Sequence, residues 1–206
     1  QAMADRYTYV PLVGPLVMVA WGAGDLLARW PVRRVLAPAA SALIIVLCGV
    51  AARAQVGYWA SSTALWQHAL EVDPGNYYAH NSLGAIASDA GRTAEAIDRF
   101  SQAIRFAPDY PEAYSNLGLM YARQGRTAEA VAQYSKALEL NPSLAEAHDN
   151  LGVAWQMLGR AEEAIASYRR AIRLNPNAAL FHSNLGAALY ASGRAPEASA
   201  HFTDAL

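Results

Sequence analysis

Hydrophobic and polar positions follow two different patterns along this chain. Tyr7–Gly24 and Val35–Ala52 are runs of eighteen residues without a single charged side chain. A stretch of about eighteen apolar residues is long enough for a helix that crosses a bilayer. From residue 57 onward, charged and polar residues are interspersed with apolar ones in a pattern that repeats. The two halves therefore suggest two environments.

The apolar half predicts a transmembrane helical hairpin. Its helices would lie at about 8–28 and 35–53 within a membrane segment that spans 1–56. Pro11 and Pro38 would be costly in an isolated soluble helix, but membrane bundles tolerate such residues. A pair of buried helices in a soluble core is the alternative.

The arginines orient the predicted hairpin. Residues 1–56 carry five arginines against two acids, and three of the arginines lie between the apolar runs. The positive-inside rule places this connecting loop in the cytoplasm and everything after Arg53 on the other side. We therefore expect an integral membrane protein, in a bacterial inner membrane or its equivalent, with an extracytoplasmic second half.

Leu-Gly pairs mark a period of thirty-four residues in the second half. The four repeats that contain these pairs begin at Tyr77, Pro111, Ala145 and Ala179. Counted from these starts, place eight is always Gly, places twenty and twenty-seven are Ala, and place twenty-four is Phe or Tyr. A small residue at places eight and twenty lets two helices approach closely, and the aromatic residue fills the remaining groove. A fixed period in this range indicates a solenoid.

This pattern resembles the tetratricopeptide repeat (TPR), which implies stacked helical hairpins. The predicted fold is thus all-α, a transmembrane helical hairpin followed by a TPR α-solenoid. Trp66, Ala69 and Pro74 match the second half of an earlier repeat, so we expect a capping half-repeat there. The predicted boundaries are 57–76 for the capping half-repeat and 77–206 for the array, with repeats at 77–110, 111–144, 145–178 and a truncated 179–206.

Place six carries a recurring carboxamide. Asn116, Asn150 and Asn184 occupy it in three successive repeats. TPR arrays line a concave groove with the first helix of each repeat, so these side chains predict a ladder that binds a protein or peptide. A carboxamide both donates and accepts hydrogen bonds, so it can hold an extended backbone without reading its sequence. The alternative is that each Asn bonds within its own hairpin.

Other chemistries find little support in the sequence. The basic residues that chaperone-binding TPRs use as a carboxylate clamp are absent, and so is a dense basic stripe for nucleic acid. His80, His148 and His182 all occupy place four, one repeat apart, which is too far to share an ion bound at about 2 Å. We expect no metal site and no catalytic residue in this chain.

A second resemblance concerns the whole chain. Met3–Gly14, with an acid-arginine pair before Tyr and Pro, and the Tyr58-Trp59 and Leu65–Leu70 stretches resemble parts of GT-C integral-membrane glycosyltransferases that carry TPRs. The transmembrane and TPR-containing O-mannosyltransferases and their bacterial relatives are similar to it in this order of segments.

The glycosyltransferase resemblance implies a polyprenyl-phosphate sugar as donor substrate and a lipid bilayer as partner. Asp5, Arg6 and Tyr7 would bind the donor-lipid phosphate, since a guanidinium matches phosphate oxygens. The alternative is that they only position the helix. The catalytic base would lie outside this chain, and whether a divalent metal takes part stays open.

The sequence thus suggests two functions. In the first, the chain is the protein-binding arm and the last membrane helices of a protein glycosyltransferase, and it is not catalytic by itself. In the second, it is a membrane-anchored TPR scaffold for envelope or secretion complexes, without catalysis. Gln1 replaces an initiator Met and Leu206 falls within a repeat helix, so we expect a piece of a longer protein.

Overall fold

The computed structural model describes residues 42–50, 52–53 and 61–205. The chain divides into two compact units, Gln1–Glu71 and Val72–Leu206. In the first unit, residues 42–50 and 52–53 are helical with exposed side chains. Helix α1, Ser62–Val72, ends at the boundary and lies within the predicted half-repeat.

The predicted transmembrane hairpin is not found in the described part of the chain. None of the helices there is both long and apolar enough to cross a membrane. The predicted span 8–28 lies outside the described residues, and so does most of the first half of the span 35–53.

The second unit is an all-α solenoid of four helical hairpins, which confirms the predicted array. Each hairpin joins a first and a second helix of one repeat. In chain order its helices are α2 Tyr77–Asp89, α3 Thr93–Phe106, α4 Pro111–Arg123, α5 Thr127–Leu140, α6 Ala145–Met157, α7 Ala161–Leu174, α8 Ala179–Ala191 and α9 Ala195–Asp204.

Each hairpin closes where the Gly at place eight meets the aromatic ring at place twenty-four. A Cβ on Gly152 would lie 2.6 Å from a ring carbon of Tyr168, and one on Gly84 would lie 2.7 Å from the ring of Phe100. Tyr168 and Phe100 are both 1% exposed. The missing side chain therefore determines how closely the two helices pack.

The turn between the two helices also requires glycine. Gly91, Gly125, Gly159 and Gly193 have φ values between 73° and 77°. This left-handed conformation is one that residues with a Cβ rarely adopt. Each Gly is followed by an Arg whose side chain pairs with a Glu three residues later, as Arg126 does with Glu129 at 2.5 Å. These pairs are exposed and contribute little to stability.

The side chain at place four of each repeat forms a hydrogen bond to the turn that precedes the repeat. His148 Nε2 lies 3.1 Å from the carbonyl oxygen of Pro142, six residues earlier. His80 and His182 make the same bond to Pro74 and Pro176, and in the second repeat the Tyr114 hydroxyl donates to the Pro108 carbonyl. A carbonyl only accepts, so each histidine donates from Nε2 and its Nδ1 is left to accept.

Neighbouring hairpins share continuous hydrophobic clusters. Leu117 and Met120 of the second hairpin pack against Ala87, Ala96 and Phe100 of the first. Consecutive first helices also contact one another, so α2, α4, α6 and α8 form one side of the solenoid. A single hairpin cannot bury its apolar face, whereas stacked hairpins do so.

We predict that Gly152→Ala destabilises the protein by about 1–3 kcal/mol, because the new methyl group overpacks a closed contact with Tyr168. The loss should appear even though Ala favours a helix over Gly by about 1 kcal/mol. The measurement is the urea midpoint of the full chain. Ser183→Ala, at an exposed position of α8, is the control and should change stability by at most about 0.5 kcal/mol. An unchanged or raised midpoint for Gly152→Ala would show that the contact is not tight.

Candidate peptide-binding surface

Two of the three asparagines of the predicted ladder, Asn116 and Asn184, bond between repeats. Asn116 Nδ2 donates to Asn81 Oδ1 over 3.0 Å. Asn184 Nδ2 donates to both carboxylate oxygens of Asp149, at 3.0 Å each. In both cases place six reaches place five of the preceding repeat. The geometry therefore differs from the alternative of bonds within one hairpin, and the ladder's role in peptide binding stays a prediction.

Asn150 lies between these two bonded pairs along the ladder. It is half-buried, and within residues 61–205 no hydrogen bond is described for its carboxamide. The carbonyl oxygen of Asn184 likewise accepts none there. Within residues 61–205, these amide groups therefore face no competition from hydrogen-bond partners of the array itself.

The first bonded pair extends into an aromatic cluster at the start of the array. Asn81 Nδ2 donates to the Tyr110 hydroxyl over 3.4 Å. The Tyr110 ring packs edge-on against Tyr77 and Tyr78, with centroids 5.2 and 5.3 Å away. Burial is the main cause that raises the pKa of Tyr110 to about 12. The phenol therefore stays protonated at neutral pH and belongs to the network as a neutral group.

Asp149 is the buried acid of this surface, with 4% of its area exposed. Burial raises the pKa of its carboxyl group, while the hydrogen bond from Asn184 opposes that shift. The nearby charge of Glu146 raises the pKa further. Because burial disfavours charge and a single amide donor compensates only in part, the ionised form of this carboxyl group is penalised.

A groove of about 340 Å³ opens beside Asn184, between α6 and α8. Val153 and Met157 line it and are 37% and 57% exposed. Gln156 turns its amide oxygen toward the Tyr168 hydroxyl, 3.0 Å away, at the floor of the groove. The groove therefore combines exposed apolar side chains with two carboxamides, those of Gln156 and Asn184.

The first helices carry an excess of acids. Together α2, α4, α6 and α8 contain four acidic residues and one basic residue. The basic residue, Arg123, donates from Nη1 to Ser88 Oγ over 2.9 Å. The acids are Asp89, Glu112, Glu146 and Asp149.

A cluster of two histidines and one carboxylate joins α8 to α9. His182 Nδ1 lies 3.2 Å from His201 Nδ1. The Asp204 Oδ2 atom lies 3.6 Å from His182 Nδ1 and 3.9 Å from His201 Nδ1. Comparison of place four along the repeats groups His182 with the other histidines there and does not reveal its two partners on α9. The signal that reveals them is the pairing of places four, twenty-three and twenty-six within one hairpin.

The residues predicted to bind a lipid phosphate, Asp5, Arg6 and Tyr7, lie outside the described residues. The proposed binding of a lipid phosphate by these three residues therefore stays a prediction. The asparagine ladder, the groove and the histidine cluster all lie within the repeat array.

Family models identify the repeats. A model described as "TPR repeat" matches residues 88–125, 120–159 and 157–193, and one described as "Tetratricopeptide repeat" matches 65–98. The first of these models alone covers more than half of the chain. The chain belongs to the tetratricopeptide-repeat family.

Solved structures with the same fold are also TPR proteins. A crystal structure of MamA is 24% identical with a TM-score of 0.64, and the match covers 74% of this chain and 90% of that chain. MamA 41-end from Desulfovibrio magneticus RS-1 is 18% identical with a TM-score of 0.62, covering 69% and 81%. YrrB, described as a TPR protein with an unusual peptide-binding site, is 22% identical with a TM-score of 0.58, covering 69% and 74%. At these identities the likeness shows the fold. A search of curated proteins returns no significant match.

These findings correct two predictions. The resemblance to a GT-C glycosyltransferase was wrong, since the matching families and structures are TPR proteins and no described helix is long and apolar enough to cross a membrane. The integral-membrane localisation with an extracytoplasmic array was wrong for the same reasons, and the findings do not support the lipid bilayer as a partner. The repeat motif carries specific information at many places, whereas the membrane motifs rested on a few short stretches.

We predict that Asp149→Asn stabilises the protein at neutral pH. The folded state raises the pKa of Asp149, so its ionised form is penalised there, and stability is lost as the pH rises through that raised pKa. Asn removes the penalty and can accept from Asn184, as Asn81 accepts from Asn116. The advantage in unfolding free energy should shrink as the pH falls toward about 4, where the unfolded carboxyl is also protonated.

The matched control is Asp98→Asn, which makes the same change at an exposed position of α3. Urea unfolding at several pH values measures both variants against the wild type. A variant at Asp149 that loses stability at neutral pH would show that the charge itself holds the Asn184 side chain.

Proposed function

We propose that the array is a non-catalytic protein-interaction scaffold that binds an extended, basic peptide segment with an apolar side chain. The groove beside Asn184 carries this proposal. Of the two functions that the sequence suggested, the scaffold without catalysis agrees better with the TPR family and with the MamA and YrrB structures, which share this fold.

The apolar part of the proposed ligand follows from the groove. Val153 and Met157 expose hydrophobic surface next to one another on α6. Methionine adapts its shape to different partners because its side chain is unbranched and polarisable. An apolar side chain of the peptide would cover these residues and remove their surface from water.

The extended backbone of the ligand follows from the ladder. The Asn184 side chain lines the groove, and Asn150 lies one repeat earlier at the same place. Carboxamides with spare donors and acceptors pair with the amide and carbonyl groups of an extended chain. Because Asp149 holds Asn184 by two contacts, that side chain is already oriented before a peptide binds.

The basic character of the ligand follows from charge. The first helices carry four acids against one base, and the Arg123 guanidinium already donates to Ser88. Glu146 is exposed in the first turn of α6. Complementary charge speeds association and selects against acidic partners.

The test is a selection of random linear peptides on the full chain, followed by fluorescence anisotropy with the enriched peptides. We predict that these peptides contain Lys or Arg beside an apolar residue. Asn184→Ala should weaken their binding about three- to tenfold, the loss of one hydrogen bond. Met157→Ser should weaken it through lost apolar contact.

Ala166→Gln serves as the control, because Ala166 is exposed on the second helix α7, away from the ladder. It should leave the affinity unchanged, and higher salt should weaken binding of every variant. The proposal fails if the selected peptides are acidic, or if their affinity is the same with and without the groove side chains.

A further inference from the structure

We propose that His182, His201 and Asp204 form a binding site for a divalent transition metal ion of the zinc type, which links α8 to α9. The nearest atoms of the three side chains are His182 Nδ1, His201 Nδ1 and Asp204 Oδ2. Imidazole nitrogens and a carboxylate oxygen are ligands that zinc accepts together.

The distances between these atoms agree with a shared ion. Zinc bonds of 2.0–2.1 Å in tetrahedral geometry place two ligand atoms about 3.3 Å apart. The observed separations are 3.2 Å for the two nitrogens, and 3.6 and 3.9 Å from the carboxylate oxygen to each of them. Asp204 is exposed, so its side chain is free to close the last few tenths of an ångström.

The tautomer of His182 also suits a metal ligand. Its Nε2 atom lies 2.9 Å from the Pro176 carbonyl oxygen, which can only accept, so Nε2 carries a hydrogen. In the neutral ring, Nδ1 then has a free lone pair. Metal-binding histidines usually donate their other ring nitrogen in this way, which fixes the ring. A neutral His182 that donates from Nε2 accepts at Nδ1 from His201 Nδ1 when no ion is bound. Metal binding requires the neutral His201 ring to carry its hydrogen on Nε2 instead, so no net proton is released.

The fourth repeat is unusual among the four in having this set. Places four, twenty-three and twenty-six meet within a hairpin, since Arg170 at place twenty-six acts electrostatically on His148 at place four. In that third repeat, however, place twenty-three is Ser167. The first two repeats also lack a second histidine and a carboxylate there, with Arg99, Gln102, Gln133 and Lys136 at those places.

The surroundings leave the proposed site open to a cation. Arg169 acts electrostatically on His201, and its guanidinium is paired with Glu197 at 3.2 Å. His182 itself is 7% exposed and anchors the site in the hairpin.

The test is a titration of the full chain, without an affinity tag, with Zn²⁺ against a chromophoric chelator. A Cys48→Ser background removes the exposed thiol, which is itself a strong zinc ligand. We predict one ion per chain, and hydrogen exchange in α9 that slows when Zn²⁺ is present. Co²⁺ in place of Zn²⁺ should give the visible absorption of a tetrahedral site.

Three variants distinguish zinc binding at the proposed site from adventitious zinc binding elsewhere. His201→Ala and Asp204→Asn change side chains outside the core and should each weaken zinc affinity at least about tenfold. His148→Ala removes a histidine with the same carbonyl bond but without the two partners, and it should leave the affinity unchanged. The proposal is overturned if there is no one-to-one binding, if His201→Ala binds zinc as tightly as the wild type, or if His148→Ala loses as much. This test is independent of peptide binding, so it can fail while the proposed function stands.

Discussion

The contact between a bare glycine backbone and an aromatic ring determines the geometry of every hairpin. A Cβ at place eight would overlap the ring at place twenty-four in each of the four repeats, by contacts of 2.6 to 2.9 Å. The ring is buried against the first helix in the first three repeats, and in the fourth the Phe202 ring makes the same close approach although it is partly exposed, so the two helices of each hairpin have one spacing. Interiors as dense as protein cores do not absorb an extra methyl group there without movement. All later features of the array depend on this common spacing, since hairpins of equal thickness stack in register.

Equal stacking explains why polar contacts recur at a separation of thirty-five residues. Asn116 bonds to Asn81, Arg123 to Ser88 and Asn184 to Asp149, and each pair is one repeat plus one residue apart. In each pair, a residue of one first helix bonds to the residue at the preceding place of the neighbouring first helix. These bonds also orient carboxamides that would otherwise sample several rotamers, which reduces the entropy lost when a peptide binds.

The sequence predicted the array well because its determinants are local. Gly91 and its equivalents mark turns, Ala96 and Phe100 mark the hairpin interior, and the period of thirty-four residues repeats this evidence four times. The partners of the ladder could not be predicted in the same way, because Asn184 and Asp149 meet only after two repeats have stacked. His201 and Asp204 were missed because place four was compared along the array and never across a hairpin. The membrane and glycosyltransferase predictions failed because a few short apolar and aromatic stretches do not carry a comparable redundancy.

Because the repeats share one geometry, a residue that departs from the repeat pattern can be interpreted by comparison with its equivalents. In the first two repeats, Arg123 at place thirteen reaches Ser88 at place twelve and closes the surface between the first helices. In the fourth repeat, place thirteen is Ala191, which is too short and apolar to make that bond. Gln156, at place twelve of the third repeat, accepts from the Tyr168 hydroxyl, and the space above it is open beside Met157. Place thirteen of the third repeat is Met157, so within residues 61–205 this arginine cross-link is described between the first two repeats only. The groove thus lies at an interface between first helices that has no such cross-link.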